Sequence, residues 1–140
     1  MTTFSTSRQL AAPPRTVFAA IENPDCLARW WGPDGFSNTF ATFDFRPGGR
    51  WTFTMHGPDG SNYPNDAEFM EIIPAQLVRI RHTSQPNFEL KLELQARDGG
   101  TFLKWQQVFA DEAVAQAIRH IVEPANEQNL NRLAEELAKA

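Results

Sequence analysis

Between residues 36 and 109 apolar and polar residues alternate with a period of two, in runs separated by residues that turn the chain. Side chains along a strand point to opposite faces in turn, so this pattern predicts a meander of antiparallel strands. The spacing places them at 36–45, 50–55, 67–73, 77–83, 88–97 and 101–109. Between them lie Pro47-Gly48-Gly49, Gly57-Pro58-Asp59-Gly60, Pro74, Pro86-Asn87 and Asp98-Gly99-Gly100, which supply the fixed or positive φ that reversals need. Phe88, Leu90, Leu92 and Leu94 share one face of their strand while Glu89, Lys91, Glu93 and Gln95 share the other, giving a dry and a wet side. The same parity groups Phe43 with Phe45, Trp51 with Phe53 and Met55, and Leu103 with Trp105, Gln107 and Phe109, all candidates for a concave face.

The flanks read differently. Residues 4–11 have the length of one strand, which Pro13-Pro14 stops while opening a helix. Val17, Phe18 and Ile21 fall on one helical stripe. Asn23-Pro24-Asp25 then breaks that helix before a second, short one through Leu27, Trp30 and Trp31, which ends at the turn Gly32-Pro33-Asp34-Gly35. After Asp111 helical spacing returns through Val114, Ile118, Ile121, Val122, Leu130, Leu133 and Leu137, with a kink or interruption expected at Pro124. Strand, two helices, six strands and a long helix make a single α+β domain over residues 1–140. One helix covers seven strands only if the sheet curls around it, and a curled sheet leaves room for a ligand beneath the helix.

Composition narrows the classes. Hydrophobic residues make up 41% and charged residues 21% of the 140, an ordinary globular balance, and no apolar run approaches the ~20 residues of a membrane span. The N-terminus lacks a secretory pattern, and the single Cys26 excludes an intramolecular disulfide, so a reducing cytoplasm is the expected home. A net charge of −4 with scattered basic residues speaks against nucleic acid as a partner. Eleven Phe and four Trp against one Tyr suit an oily interior, whether solid core or ligand cavity.

Three segments carry a resemblance: Asn23-Pro24-Asp25-Cys26-Leu27-Ala28-Arg29-Trp30-Trp31-Gly32-Pro33-Asp34-Gly35-Phe36, Asp44-Phe45-Arg46-Pro47-Gly48-Gly49-Arg50-Trp51, and Met55-His56-Gly57-Pro58-Asp59-Gly60. With Phe18, Phe69-Met70-Glu71-Ile72-Ile73-Pro74 and Gly100-Thr101, they resemble the activator-of-heat-shock-protein-ATPase-like (AHSA-type) branch of the START-like, or SRPBCC, superfamily, from the first strand to Leu137. The resemblance implies a helix-grip fold with a hydrophobic cavity, in a superfamily of lipid carriers, hormone and polyketide binders, cyclases and antibiotic-sequestering proteins. Where the family often carries Gly-Trp in the last helix, this chain has Ala125-Asn126, which enlarges or polarises the expected pocket and brings Asn126 into its wall. No heat-shock chaperone is expected as a partner, because the eukaryotic co-chaperone uses an additional N-terminal domain that these residues do not supply.

Candidate chemistry is sparse. His56, His82 and His120 have no second ligand at metal spacing, and no metal or other cofactor is expected. Cys26 has no base beside it, and nucleophile-elbow, phosphate-loop and dinucleotide motifs are absent. Glu71 shares parity with Ala67, Phe69 and Ile73 and is expected to face the cavity, paired with one of Arg46, Arg50, Arg79 and Arg81 or free as an acid or base; His82 is the other weak catalytic candidate. Gln107 is placed to orient a ligand's polar end or to bond the C-terminal helix. Of Trp30 and Trp31, one is expected in the core and the other over the cavity mouth or first strand. The expected function is binding of a small hydrophobic molecule by Trp30, Phe43, Phe45, Trp51, Phe53, Phe69, Leu90, Leu92, Trp105, Gln107 and Asn126, in a monomer or homodimer. The alternatives are a cyclase- or hydratase-like enzyme in the same cavity and a protein-interaction domain.

Overall fold

A computed structural model describes residues 1–139. The order is β1 (Thr2–Leu10), α1 (Pro14–Glu22), α2 (Pro24–Trp30), β2 (Ser37–Phe43), β3 (Arg50–His56), β4 (Asn62–Ile73), β5 (Leu77–His82), β6 (Phe88–Arg97), β7 (Gly100–Phe109) and α3 (Glu112–Ala138). The strands form one curved antiparallel sheet in the order β1-β7-β6-β5-β4-β3-β2, with α3 laid against its concave face: a helix-grip fold. The N-terminal strand closes the meander by pairing along the full length of the last one, Thr2 opposite Phe109 through Leu10 opposite Thr101.

The expected breaks have local causes. Asn23 ends α1 and caps α2, its Oδ1 accepting from the N–H groups of Asp25 at 2.9 Å and Cys26 at 3.1 Å, and Pro24 takes the first turn. Asp111 caps α3 through the Val114 N–H. The interruption expected at Pro124 does not occur, since α3 is helical from Glu112 to Ala138. Pro124 lies on the exposed side, where water can serve the carbonyl that its missing N–H leaves unpaired. A Cβ at Gly49 would fall on the Asp44 carbonyl oxygen, so the turn into β3 requires glycine.

The sheet departs from plain alternation at two bulges. In β2 the register shifts between Phe40 and Thr42, and in β4 between Phe69 and Glu71, each adding a residue that the partner strand does not match. The second bulge reverses the parity of everything after Met70. Phe69 and Ile72 pack inward, while Glu71 stands opposite Arg79 on the outer face. Strand β4 also begins at Asn62 rather than Ala67. Its first residues pair only with β3, because β5 joins at Ala67; that makes a local edge on which Pro64 is tolerated.

Two apolar clusters lie between sheet and helices. In the larger, Trp51 is 1% exposed, stacks on Phe53 at 4.2 Å and on Phe69 at 5.8 Å, and meets Phe40, Phe43 and Trp31 edge-on. Leu130 and Leu133 of α3 cover it. The smaller joins Phe4 and Phe109 to Ala115, with Phe88, Ile118 and Val122 packed against it. Because Trp51 is enclosed by aromatic rings, Trp51→Ala opens a hole that its neighbours cannot fill. We expect it to cost about 3–5 kcal/mol in chemical denaturation, the loss of a solid-core tryptophan.

Candidate functional site

A cavity of about 620 Å³ lies between the sheet and the middle of α3, where the two clusters meet. Sheet residues Phe53, Met55, Phe88, Leu90, Trp105 and Gln107 form its floor. The α2–β2 loop contributes Trp31, Gly32, Pro33 and Phe36, and α3 contributes Ile121, Val122, Ala125, Asn126 and Asn129. Tyr63 at 47% and Ile121 at 59% exposure flank the mouth, beside the free edge of β4. A larger hollow of about 750 Å³ lies on the outer face of the sheet, but it is paved with charged residues most of which are paired with one another, Arg79 with Glu71 at 3.1 Å and Lys91 with Glu93 at 2.8 Å.

Phe53, Leu90, Trp105, Gln107 and Asn126, named from sequence, line the inner cavity. Phe43, Phe45, Trp51, Phe69 and Leu92 do not; they fill the aromatic cluster at the other end of the concave face, where rings close on rings and leave no space. Parity told which face they share but not where along the strand the helix lifts away. Trp30 is also displaced from the expected set. It is buried, with its indole N–H donating to the Ala20 carbonyl at 2.9 Å, and the next residue, Trp31, lines the cavity and stacks on Trp105 at 5.8 Å. Glu71 is outside altogether because of the Met70 bulge.

The polar wall is amide-rich. Asn126 Nδ2 donates to Gln107 Oε1 at 3.0 Å, and Asn129 Oδ1 accepts from the Gly32 N–H at 3.2 Å. Asn129, one helical turn beyond Asn126, was not singled out from sequence; the i, i+3 spacing of two asparagines inside an apolar stripe is the signal that would have found it. Among the described residues the buried Trp105 indole N–H has no partner.

His82 is buried in the wall and stacks on Phe88 at 4.5 Å. Its Nδ1 lies 2.8 Å from the Pro86 carbonyl oxygen, and its Nε2 lies 2.7 Å from Asn65 Oδ1 and 3.4 Å from Ser84 Oγ. Both nitrogens are thus engaged by protein atoms. Burial pushes its pKa down, opposed in part by the Pro86 carbonyl and the Asp66 charge. Cys26 sits elsewhere, near Glu136 and Arg29, and burial followed by the Glu136 charge pushes its thiol pKa up, away from a reactive thiolate. Among the described residues no cluster of His, Cys, Asp and Glu could hold a metal ion.

One cation organises the loop wall. Arg132 Nη1 donates to the carbonyls of Trp31, Gly32 and Pro33 at 2.9–3.0 Å, and Nη2 to those of Arg29 and Phe36 at 2.7 and 2.8 Å. It meets the C-terminus of α2, where helix carbonyls have no intrahelical donor and positive charge is favoured. Gly32 within this loop has φ +98°, a left-handed conformation that calls for glycine, while a Cβ there would come closest to the flexible end of Met55, which can move aside.

The family model described as Activator of Hsp90 ATPase homolog 1-like protein matches residues 11–138. The chain belongs to this family. No curated protein matches it. Solved structures share the fold: a protein from Arthrobacter aurescens superposes with a TM-score of 0.91 at 22% identity, covering 99% of this chain and 87% of its own. One from Nitrosomonas europaea gives 0.88 at 20% identity, covering 98% and 94%, and one from Chromobacterium violaceum gives 0.85 at 24% identity, covering 96% of each chain. The helix-grip fold of the AHSA1-like family is in general a ligand-binding one. No helix among the described residues is long and apolar enough to cross a membrane.

Two outcomes follow from this geometry. Replacing Arg132 with Met removes the donor from the carbonyls of Arg29, Gly32 and Phe36 and leaves those of Trp31 and Pro33 with only the Asn38 amide and the Phe36 N–H, and we expect a loss of about 2–4 kcal/mol in urea melts that Arg132→Lys restores only in small part, since an ammonium cannot span the fork. For His82 the unfolded chain takes up a proton near its ordinary value of 6.5, while the folded chain resists it. The stability that neutral His82 contributes is therefore complete above pH 6.5 and is lost as pH falls below it toward the depressed folded pKa. Urea midpoints followed from about pH 8 to about pH 5 should fall less steeply for His82→Gln than for the wild type.

Proposed function

We propose that the protein binds a small apolar molecule in the cavity beneath α3, acting as a carrier, a sequestering protein or a sensor. The observation that carries this reading is the wall itself. Aromatic and aliphatic side chains from the sheet, the α2–β2 loop and α3 converge on about 620 Å³, a volume within the ~300–1,000 Å³ usual for small-molecule sites. The acid–base alternative lacks a free group at its two candidates, because Glu71 faces outward and His82 has both ring nitrogens engaged. The interaction-domain alternative needs a broad exposed apolar patch, whereas Tyr63 and Ile121 are large exposed residues that belong to the cavity mouth.

The test uses Nile red, an uncharged apolar dye, together with native mass spectrometry of protein purified without denaturant. Dye fluorescence should rise on binding and indole fluorescence should fall, since Trp31 and Trp105 lie in the wall. Ala125→Trp puts an indole into the cavity from α3 and should weaken dye binding by about tenfold or more while leaving the fold intact. Unchanged dye binding by this variant, or no binding by the wild type, would remove the cavity from consideration.

A further inference from the structure

The wall of the inner cavity contains no Asp, Glu, Lys or Arg among its lining residues. Its imidazole, His82, has both ring nitrogens turned to protein oxygens and burial opposes its charging, so no side chain of the wall is free to pair with a charged ligand. Desolvating a carboxylate or an ammonium without a partner costs several kcal/mol, more than the apolar contacts of a small head group return.

The wall is not purely apolar either. Gln107, Asn126 and Asn129 are 8%, 9% and 6% exposed, and three of their amide atoms, Gln107 Nε2, Asn126 Oδ1 and Asn129 Nδ2, have no protein partner among the described residues yet are not sealed off. Their hydrogen-bonding character does not depend on how the amides are oriented. If Gln107 and Asn126 were both turned over, their mutual bond would survive and the pair would still leave one donor and one acceptor. Asn129 has no such freedom, because the Gly32 N–H demands an oxygen and the remaining atom must be a donor. Asn126 and Asn129 are one turn apart on α3, and Gln107 faces them from β7, so the unused groups form one polar corner. The other amides of the wall are engaged by protein: Asn62 with His56, Asn65 with Tyr63 and His82, and Gln85 with Asn87.

We infer that the occupant is an uncharged molecule with an apolar body and a head that both accepts and donates hydrogen bonds, such as a carboxamide or a carbonyl beside a hydroxyl, met by Gln107, Asn126 and Asn129. This deepens the cavity-binding proposal and rests on it. Two of the three open groups are donors, so the head presents more acceptor than donor capacity. A pure hydrocarbon would leave all three amides desolvated and unpaired, which penalises it against such a molecule.

Three probes of nearly one shape separate the possibilities by displacing Nile red from the intact chain: 2-naphthamide, 2-naphthoate and 2-methylnaphthalene. The amide should bind about tenfold or more tightly than either of the others. Gln107→Leu should weaken the amide by about tenfold and leave 2-methylnaphthalene unchanged or tighter. Asn129→Asp keeps an acceptor for Gly32 and replaces the amide donor by a carboxylate, so it should weaken the amide also and weaken naphthoate further through like charge, and it serves if the leucine variant fails to fold. Naphthoate binding as tightly as naphthamide, or variants that weaken all three probes alike, would overturn the inference. If Nile red and methylnaphthalene bind but the amide gains nothing over them, this inference fails alone. If neither binds, the cavity reading fails with it.

Discussion

The site depends first on the Arg132 guanidinium. Its Nη1 and Nη2 serve five backbone carbonyls from Arg29 to Phe36, and so tie α3 to the end of α2 and to the loop that leads into β2. That loop runs through Gly32 in a left-handed conformation and carries Trp31, Pro33 and Phe36 into the cavity wall. Without a donor for those carbonyls, the segment would need to turn them toward water and would draw the wall away from the cavity with them. Asn38 reinforces the same joint from β2, its amide donating to the carbonyls of Ala28 and Trp31. A charged group that never touches the cavity thus sets its shape.

The concave face is divided lengthwise. At one end Trp51, Phe69, Phe43 and Phe45 close on one another and on the helix pair, and Leu130 and Leu133 lie on top. At the other, Phe4, Phe109 and Ala115 hold the start of α3 to β1 and β7. The helix is anchored by both ends and spans the space between them. Over that span Ala125, Asn126 and Asn129 are small or polar and Ile121 is exposed at the mouth, so α3 does not fill it. The cavity is a product of where the large side chains are placed, with rigid packing on either side of it.

Most of the architecture was legible because it rests on period and punctuation. Alternation gave the strands and their dry face, and Pro and Gly marked the reversals. The misreadings arose where a local event shifts the count. Met70 and Ala41 are extra residues in their strands, so a carboxylate assigned inward by parity stands outward. Trp30 and Trp31 are adjacent, and helical spacing alone does not say which indole meets the core and which the cavity. Of the kink or interruption expected at Pro124, the interruption does not occur, and the residue whose carbonyl is orphaned, His120, is exposed. The long early part of β4 was missed because Asn62 to Asp66 have weak strand propensity and are held by one neighbour only. Cavity position along the sheet is a property of tertiary packing, and no pattern in a single strand encodes it.

The Met70 bulge has a consequence for how such a chain can change length. Deleting a residue elsewhere in a central strand turns every side chain beyond it to the opposite face, exchanging core for surface. At Met70 the shift in register is already present, so removing that residue would leave Phe69 and Ile72 inward and Glu71 outward opposite Arg79, as they now stand. The bulge is therefore the place where β4 can lose a residue while keeping its faces. In an alignment of relatives a gap at this position would be structurally quiet, while a gap one strand away would not.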